Sequence, residues 1–355
     1  MPRFAANLHY LFAEVPFLDR FAAAADCGFR GVEFQVPYDY PAAELRTRLR
    51  DHDLTMVLFD APMGDWNAGD RGLAAVPGRE AEFRASLERI LPYAEALGCD
   101  TVHVMAGVVP PGGDYALAER TYLDNLGFAA RFLEPHGVHA VIEPINRRMG
   151  IISTRWAAPE GAAPQRGVAT EGSLGGLSSG TRWAATGRSP VAFGRHGQSA
   201  GTVRVRPHLA EGAAPQRGVA TEGSLGGLSS GNGPNYTTEG MHGYFLNHSE
   251  HARRVIDAVA HPNLSLHLDC YHMQVLEGHL ADTIRDNIAL VRHFQIAGVP
   301  GRHEPDVGEI HYPYLFDLID TLGYRGWIGC EYRPRGDTRA GLGWAAPYGI
   351  RPAAS

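Results

Sequence analysis

Short apolar segments alternate with helical segments along most of this chain, and this alternation limits the folds that it can adopt. Strand-like runs occupy eight segments: 5–11, 31–35, 55–59, 101–105, 140–143, 264–269, 293–297 and 327–331. Helical periodicity fills seven intervals between them: 16–28, 41–52, 80–97, 115–135, 249–260, 279–291 and 314–322. Strict alternation predicts an α/β fold with a parallel sheet. Eight such units over about 250 residues predict a single (β/α)8 TIM barrel.

An open, doubly wound sheet is the main alternative to the barrel. A sheet of that kind usually carries a glycine-rich dinucleotide-binding turn after its first strand, and this chain has none there. We therefore favour the barrel and expect no nucleotide cofactor.

Residues 150–240 interrupt the alternation after the fifth strand. The 21-residue sequence of Glu160–Gly180 recurs unchanged at Glu211–Gly231. Residues 151–235 contain 17 glycines, eight arginines and four glutamates, without helical or alternating periodicity. Such a composition is typical of disorder. We predict a barrel in two parts, 1–149 and 241–346, with a disordered Gly/Ala/Arg-rich insertion at 150–240 and a tail at 347–355.

Charge and composition exclude several classes of function. The net charge of −7 argues against nucleic acid or an anionic membrane as a partner. We find no apolar run of membrane-spanning length and no leader, so a cytoplasmic location is expected. All 32 basic residues are arginine, which excludes pyridoxal phosphate (PLP) and other lysine-dependent chemistry. The four separated cysteines are interpreted as buried free thiols. The oligomeric state stays open, with a homo-oligomer among the options.

Polar side chains end the last four strands, where an apolar strand does not need them. They are Glu143, Asp269, Gln295 and Glu331. The carboxyl ends of barrel strands converge on one face, so these side chains should meet. Carboxylates that gather in apolar surroundings repel one another unless a cation neutralises them. Because their ligand atoms are oxygens, we expect that cation to be Mg²⁺ or Mn²⁺. Capping of helices or pairing with arginine is the structural alternative for each carboxylate.

Two further residues fit a site at this face. His272 follows Asp269 by three positions and would hydrogen-bond a substrate oxygen, or simply pack in its loop. Arg302 lies after the seventh strand and could grip a substrate carboxylate with two parallel hydrogen bonds. His9 and His103 are interpreted as barrel-interior residues rather than ligands. Trp66, in a glycine-rich loop, would either cover the site or lie on the surface.

Several longer motifs resemble the hydroxypyruvate isomerase family, within the TIM barrels similar to xylose isomerase. They are VEFQVPYD, GDWNAGDRG, VIEPIN, HLDCYH, FQIAGVPGRHEPDVGEIHYPYLF and GWIGCEYRP. The resemblance covers about residues 4–148 and 242–346. It implies that Glu143 and Glu331 are catalytic and that both join Asp269 and Gln295 as metal ligands. It also implies substrate binding by His272 and Arg302.

The resemblance implies isomerisation of hydroxypyruvate to 2-hydroxy-3-oxopropanoate (tartronate semialdehyde) through an enediolate. One glutamate would remove the proton and the other return it, with a divalent metal holding the substrate oxygens.

Isomerisation of a four-carbon 2-oxo acid, 2-dehydrotetronate, is the nearest alternative. Sugar 3-epimerases commonly have histidine where this chain has Gln295. Apurinic endonucleases require a histidine-rich zinc cluster and a basic DNA-binding face, and we expect neither. An inactive binding scaffold, obstructed by the insertion, is the alternative from a different class.

Overall fold

The computed structural model describes residues 1–147 and 241–352. The insertion predicted at 150–240, its repeat and its disorder lie outside the described residues, as do the last three residues of the predicted tail. Within the described part, no helix is both long and apolar enough to cross a membrane.

Eight parallel strands close into a barrel in the order of the sequence. They are β1 (Arg3–Asn7), β2 (Gly31–Glu33), β3 (Thr55–Asp60), β4 (Thr101–His103), β5 (His139–Ile142), β6 (Leu264–Asp269), β7 (Val291–Ile296) and β8 (Trp327–Cys330). The closing pair is β1 with β8, where Ala5 lies opposite Gly329. The predicted TIM barrel is confirmed.

The helices of the described residues follow the strands as expected for repeated βα units. They are α1 (Arg20–Asp26), α2 (Ala42–Asp51), α3 (Glu80–Glu88), α4 (Ile90–Leu97), α5 (Tyr115–Leu133), α6 (Ser249–Val259), α7 (Cys270–Leu276), α8 (Leu280–Asn287), α9 (Tyr312–Thr321) and α10 (Thr338–Gly341). Short 3-10 turns cover Phe17–Asp19, Glu134–His136 and Leu342–Tyr348.

The single helix predicted over 80–97 is wrong, because the structure has two helices that meet at Arg89. The sequence offers a reason in Pro92, in the first turn of α4. Proline has no amide hydrogen, and its ring clashes with the carbonyl four residues earlier, here that of Glu88. The helix therefore ends and restarts where this clash would fall.

Two other differences lie next to the barrel mouth. The strand predicted to reach Leu11 ends at Asn7, whose carbonyl accepts hydrogen bonds from the amides of Tyr10 and Leu11. The Asn7 side chain also accepts from the amide of His9 at 3.1 Å, which closes a turn. The helix α7, directly after β6, is absent from the sequence-based prediction, and it carries His272.

Apolar packing leaves the polar side chains at one end of the barrel. A small interior cluster combines the buried side chains of Ala5, Val57, Leu58 and Val141, with Trp327 against it. The main core lies between the strands and the surrounding helices. All four cysteines are buried free thiols, as predicted.

Candidate functional site

A cavity opens at the carboxyl ends of the strands and contains most of the predicted site residues. Glu143, His272, Gln295, Arg302 and Glu331 line it. Asp269 is fully buried beside them, within 3.5 Å of the His272 ring. The structure therefore brings all six predicted residues together, although their chemical roles stay predictions.

Glu143 follows β5 and is surrounded by imidazole rings. Its Oε2 lies 3.8 Å from Nε2 of His103 and 3.9 Å from Nδ1 of His267. Its Oε1 lies 3.8 Å from Nε2 of His272 and has no hydrogen-bond partner among the described residues. Glu143 thus presents a buried, unsatisfied oxygen to the cavity, which is costly unless something else binds it.

Glu331, directly after β8, has close polar partners. Its carboxylate forms an ion pair with Arg302 and accepts a hydrogen bond from the Gln35 amide. The Nδ2 of Asn7 lies 3.5 Å from the same oxygen that Gln35 approaches. Nη2 of Arg302 also lies 3.4 Å from Oδ2 of Asp269. Part of the charge repulsion expected among the carboxylates is therefore relieved by arginine.

The Arg302 guanidinium is held on several sides. Its Nε lies 3.3 Å from the Glu331 carbonyl, and its side chain is 2% exposed. The rings of Tyr10 and Tyr271 lie 5.2 and 4.9 Å from its central carbon. Its backbone has a φ of 53°, an unfavourable conformation for a residue with a side chain, so the surrounding structure must stabilise it.

His272 is positioned by Asn146. Its Nδ1 lies 2.7 Å from the Asn146 amide nitrogen and 3.4 Å from the Asn146 backbone nitrogen. Because a backbone N–H can only donate, Nδ1 accepts and the neutral ring carries its proton on Nε2. Burial lowers the pKa of His272 well below its usual value, which favours this neutral form. The N–H therefore points toward Asp269 and Glu143, as a donor for an oxygen.

Gln295, near the end of β7, contacts a residue that our sequence analysis missed. Its Nε2 donates to Oε1 of Glu33 at 2.6 Å. Asn7 donates to the same oxygen at 3.0 Å, and His293 lies 2.7 Å from Oε2. The structure ends β2 at Glu33 and β3 at Asp60. The strand-end rule could have found Asp60, which follows the predicted strand 55–59, but Glu33 lies inside the predicted strand 31–35.

Three histidine rings contact one another edge to face inside the barrel. The expected absence of a histidine-rich zinc cluster stays a prediction. His103 and His293 lie on either side of His267, with ring centroids 5.3 and 5.2 Å away. Nδ1 of His103 contacts Asp60 at 3.2 Å. The predicted interior position of His103 is confirmed. Trp66 lines the cavity, and the Arg71 guanidinium stacks on its ring at 3.7 Å.

Burial controls the electrostatics of the site. It raises the pKa of Glu143 well above its usual value, and the nearby Asp269 and Glu331 raise it further. The pKa of Glu331 is raised to about 8 by burial, although Arg302 lowers it. The pKa of Asp269 is raised to about 6 in the same way. Without a further cation, the site therefore retains protons near neutral pH.

The donor atoms are compatible with a divalent metal. One atom each from Glu143, Asp269 and His272 lies within 4.8 Å of the other two. The unsatisfied Oε1 of Glu143 and the carboxylate of Asp269 are hard oxygen donors of the type that Mg²⁺ and Mn²⁺ bind. His272 contributes a nitrogen that already carries a proton in its neutral form, so it fits a hydrogen-bond donor better than a metal ligand.

Comparison with known proteins agrees with this architecture. The model of the xylose isomerase-like TIM barrel family matches residues 21–156 and 233–348. The 2-oxo-tetronate isomerase of Cupriavidus necator is 42% identical over 98% of this chain and 99% of that protein. The hydroxypyruvate isomerase of Escherichia coli is 33% identical over 98% of this chain and 100% of that protein.

A solved structure shows the same fold at useful sequence identity. It is described as an AP endonuclease, family 2, from Brucella melitensis and is 37% identical, with a TM-score of 0.71 over 98% of this chain and 99% of that one. The family match and the full-length relatives lead to one conclusion: this chain belongs to the xylose isomerase-like TIM barrel family.

Proposed function

We propose that this chain is an isomerase that moves a proton between C2 and C3 of a short 2-oxo hydroxy acid. Full-length relatives that are named isomerases support the enzyme class. The observation that carries the proposal is the pair of buried carboxylates, Glu143 and Glu331, that line one cavity from the ends of β5 and β8. Aldose–ketose type isomerisation requires one group to remove a proton and another to return it.

The two glutamates suit this proton transfer. Burial raises the pKa of both carboxyl groups, to about 8 for Glu331, so Glu331 is able to gain or lose a proton near neutral pH and Glu143 holds a proton more readily than an exposed glutamate. Catalytic efficiency is highest when the pKa of the acid or base lies near the working pH. An enediolate would form between the two transfers, with the negative charge on the substrate oxygens.

A divalent metal, Mg²⁺ or Mn²⁺, is part of this proposal. Glu143, Asp269, Gln295 and Glu331 would hold it, and it would supply charge stabilisation for the substrate oxygens. Nε2–H of His272 would donate to a substrate oxygen. Nη2 of Arg302 already contacts Asp269 and Glu331. Binding of a substrate carboxylate by Arg302 would therefore depend on the other N–H groups of the guanidinium.

The relatives favour a four-carbon substrate. The sequence motifs favour hydroxypyruvate, but the 42% identity to a 2-oxo-tetronate isomerase exceeds the 33% identity to a hydroxypyruvate isomerase. The two substrates differ by one hydroxymethyl group on C3 and share the same reacting atoms. We therefore propose 2-oxo-tetronate as the preferred substrate and hydroxypyruvate as a poorer one.

The other functions have less support. The net charge of −7 does not favour a DNA substrate, since a basic surface supplies most of the affinity for DNA. An inactive scaffold would retain the fold without proton transfer, and this is the alternative that an experiment must exclude.

Turnover and proton exchange of both acids by the full-length chain, in Mn²⁺ and deuterated buffer, test the proposal. We expect deuterium to enter C3 of 2-oxo-tetronate and kcat/KM to be higher than for hydroxypyruvate. A higher kcat/KM for hydroxypyruvate would reverse the substrate order. Failure to exchange or isomerise either acid would contradict the proposed activity and favour the scaffold.

A further inference from the structure

We propose that Glu33 is a positioning residue that turns the amide oxygen of Gln295 toward the metal site. This inference rests on the proposed divalent-metal site. A carboxylate accepts hydrogen bonds and has no hydrogen to donate, so the Gln295 amide must direct its nitrogen to Glu33. The 2.6 Å contact between Nε2 and Oε1 of Glu33 has this direction. The amide oxygen then faces away from Glu33, where the His267 ring also approaches Gln295, and is the atom that a metal would bind.

Glu33 is held in one orientation by groups from two other strands. Asn7 of β1 and Gln295 of β7 share its Oε1, and His293 of β7 contacts its Oε2 at 2.7 Å. The carboxylate also requires the absence of a side chain on β8. A Cβ at Gly329 would lie 2.3 Å from both Glu33 oxygens. The barrel therefore leaves space for a carboxylate that reaches across from β2.

Asn7 also connects Glu33 to Glu331, one of the two proposed catalytic carboxylates. Nδ2 of Asn7 lies 3.0 Å from Oε1 of Glu33 and 3.5 Å from Oε1 of Glu331. Glu33 is 1% exposed and is not itself a proposed ligand, so it acts on the site through its contacts with Asn7 and Gln295. Loss of a group that orients a metal ligand commonly lowers metal affinity by about 10–100-fold.

Mn²⁺ titration of the chelator-treated full-length protein tests this role. In Glu33→Gln one carboxylate oxygen becomes an amide nitrogen that donates, so position 33 no longer accepts at both atoms and no longer compels Gln295 to turn its nitrogen toward it. We expect the Mn²⁺ dissociation constant to rise about tenfold or more. Glu304→Gln is the matched control, because Glu304 is also buried but contacts Arg335. Its Mn²⁺ affinity should equal that of the wild type.

The exchanged pair, Glu33→Gln with Gln295→Glu, provides the rescue. The amide introduced at position 33 would donate to the carboxylate introduced at position 295, whose second oxygen would face the site as the amide oxygen does now. We expect Mn²⁺ affinity to return to within about threefold of the wild type, because the loss from misorientation is reversed. A purely structural role would change the melting temperature of Glu33→Gln without this recovery.

The outcomes separate this inference from the proposed function. If the wild type binds Mn²⁺ and Glu33→Gln binds it equally well, the positioning role is wrong and the metal site stands. If the wild type binds no Mn²⁺, the metal site fails and the positioning role fails with it. If Glu33→Gln does not fold, the exchanged pair decides, and weak Mn²⁺ binding by that variant overturns the inference.

Discussion

Glu143 and Glu331 occupy equivalent places in the barrel but differ in what surrounds them. Each follows the last residue of its strand, and they are 5% and 7% exposed. Glu331 is paired with Arg302 and accepts a hydrogen bond from Gln35. Glu143 faces three imidazole rings, and its Oε1 has no hydrogen-bond partner among the described residues.

This difference shows that burial alone does not determine what a carboxylate contributes. A buried ion pair is expensive to break, since the remaining partner is left uncompensated. A buried carboxylate with an unsatisfied oxygen destabilises the fold until a proton or cation binds it. Substitution of the two glutamates should therefore have similar effects on catalysis and different effects on the stability of the metal-free protein.

The largest expected effect is on turnover, where the two glutamates should behave alike. Glu143→Gln and Glu331→Gln each remove a proton-transfer group, so kcat should fall by about 10²–10⁴-fold. Steady-state kinetics with 2-oxo-tetronate at saturating Mn²⁺ measures the loss. Near wild-type turnover by either variant would show that the reaction does not use two glutamates.

The metal-free stability of the same variants should separate the two residues. Glu331→Gln removes the carboxylate that forms the closest ion pair with Nη2 of Arg302, and we expect a loss of about 3 kcal/mol in unfolding free energy. Glu143→Gln removes no arginine pair, and its stability should stay within about 1 kcal/mol of the wild type or increase. Urea unfolding in chelator measures both. Equal losses would mean that the ion pair between Arg302 and Glu331 contributes no more to the unfolding free energy than the contacts of Glu143 do.

In metal binding, Glu143→Gln should have the larger effect of the two variants, whereas Glu331→Gln has the larger effect on metal-free stability. At about 100-fold excess over its dissociation constant, Mn²⁺ should stabilise the wild type by about 2.7 kcal/mol. Glu143→Gln should lose more of this gain than Glu331→Gln, because the oxygens of Glu331 already contact Arg302, Gln35 and Asn7. Melting curves with and without Mn²⁺ test the order. A larger loss in Glu331→Gln would identify it as the stronger ligand.

The smallest difference between the two glutamate variants is expected for His139, at the opposite end of the barrel. Its pKa is lowered to about 4 by burial and by Arg292. In the unfolded chain, His139 binds its proton at about pH 6.5. The stability that the neutral, buried ring contributes is therefore complete above about pH 6.5 and is lost as the pH falls toward about 4, because the unfolded chain then binds a proton that the folded protein does not. His139→Gln should weaken this decline equally in the wild type and both glutamate variants. Different effects in the three backgrounds would reveal coupling across the barrel.

Much of the fold could be predicted because its signals are local. For β6, the local sequence pattern is enough to predict the observed bounds, Leu264–Asp269. The four polar strand ends of β5–β8 stand out because an apolar strand does not require them. The split at Arg89 is missed even though Pro92 is visible, since the amphipathic pattern continues through it.

The site could be predicted only in part because closure of the barrel brings distant strands together. Nothing local in the sequence around Gln295 indicates Glu33, 262 positions earlier. The edge-to-face contacts of His103, His267 and His293 likewise combine three strands that are separate in sequence. Side chains that face the interior of a closed barrel acquire neighbours that depend on register as well as on sequence pattern.

By itself, the sequence determined the alternation of strands and helices, and hence the parallel barrel and the face on which its polar strand ends gather. These follow from local hydrophobic periodicity and from the short right-handed connections between parallel strands. The tertiary structure alone decided that Arg302 pairs with Glu331 while Glu143 keeps an unsatisfied oxygen. Charge pairing depends on distances of a few ångströms between residues far apart in sequence, and only the folded barrel sets those distances.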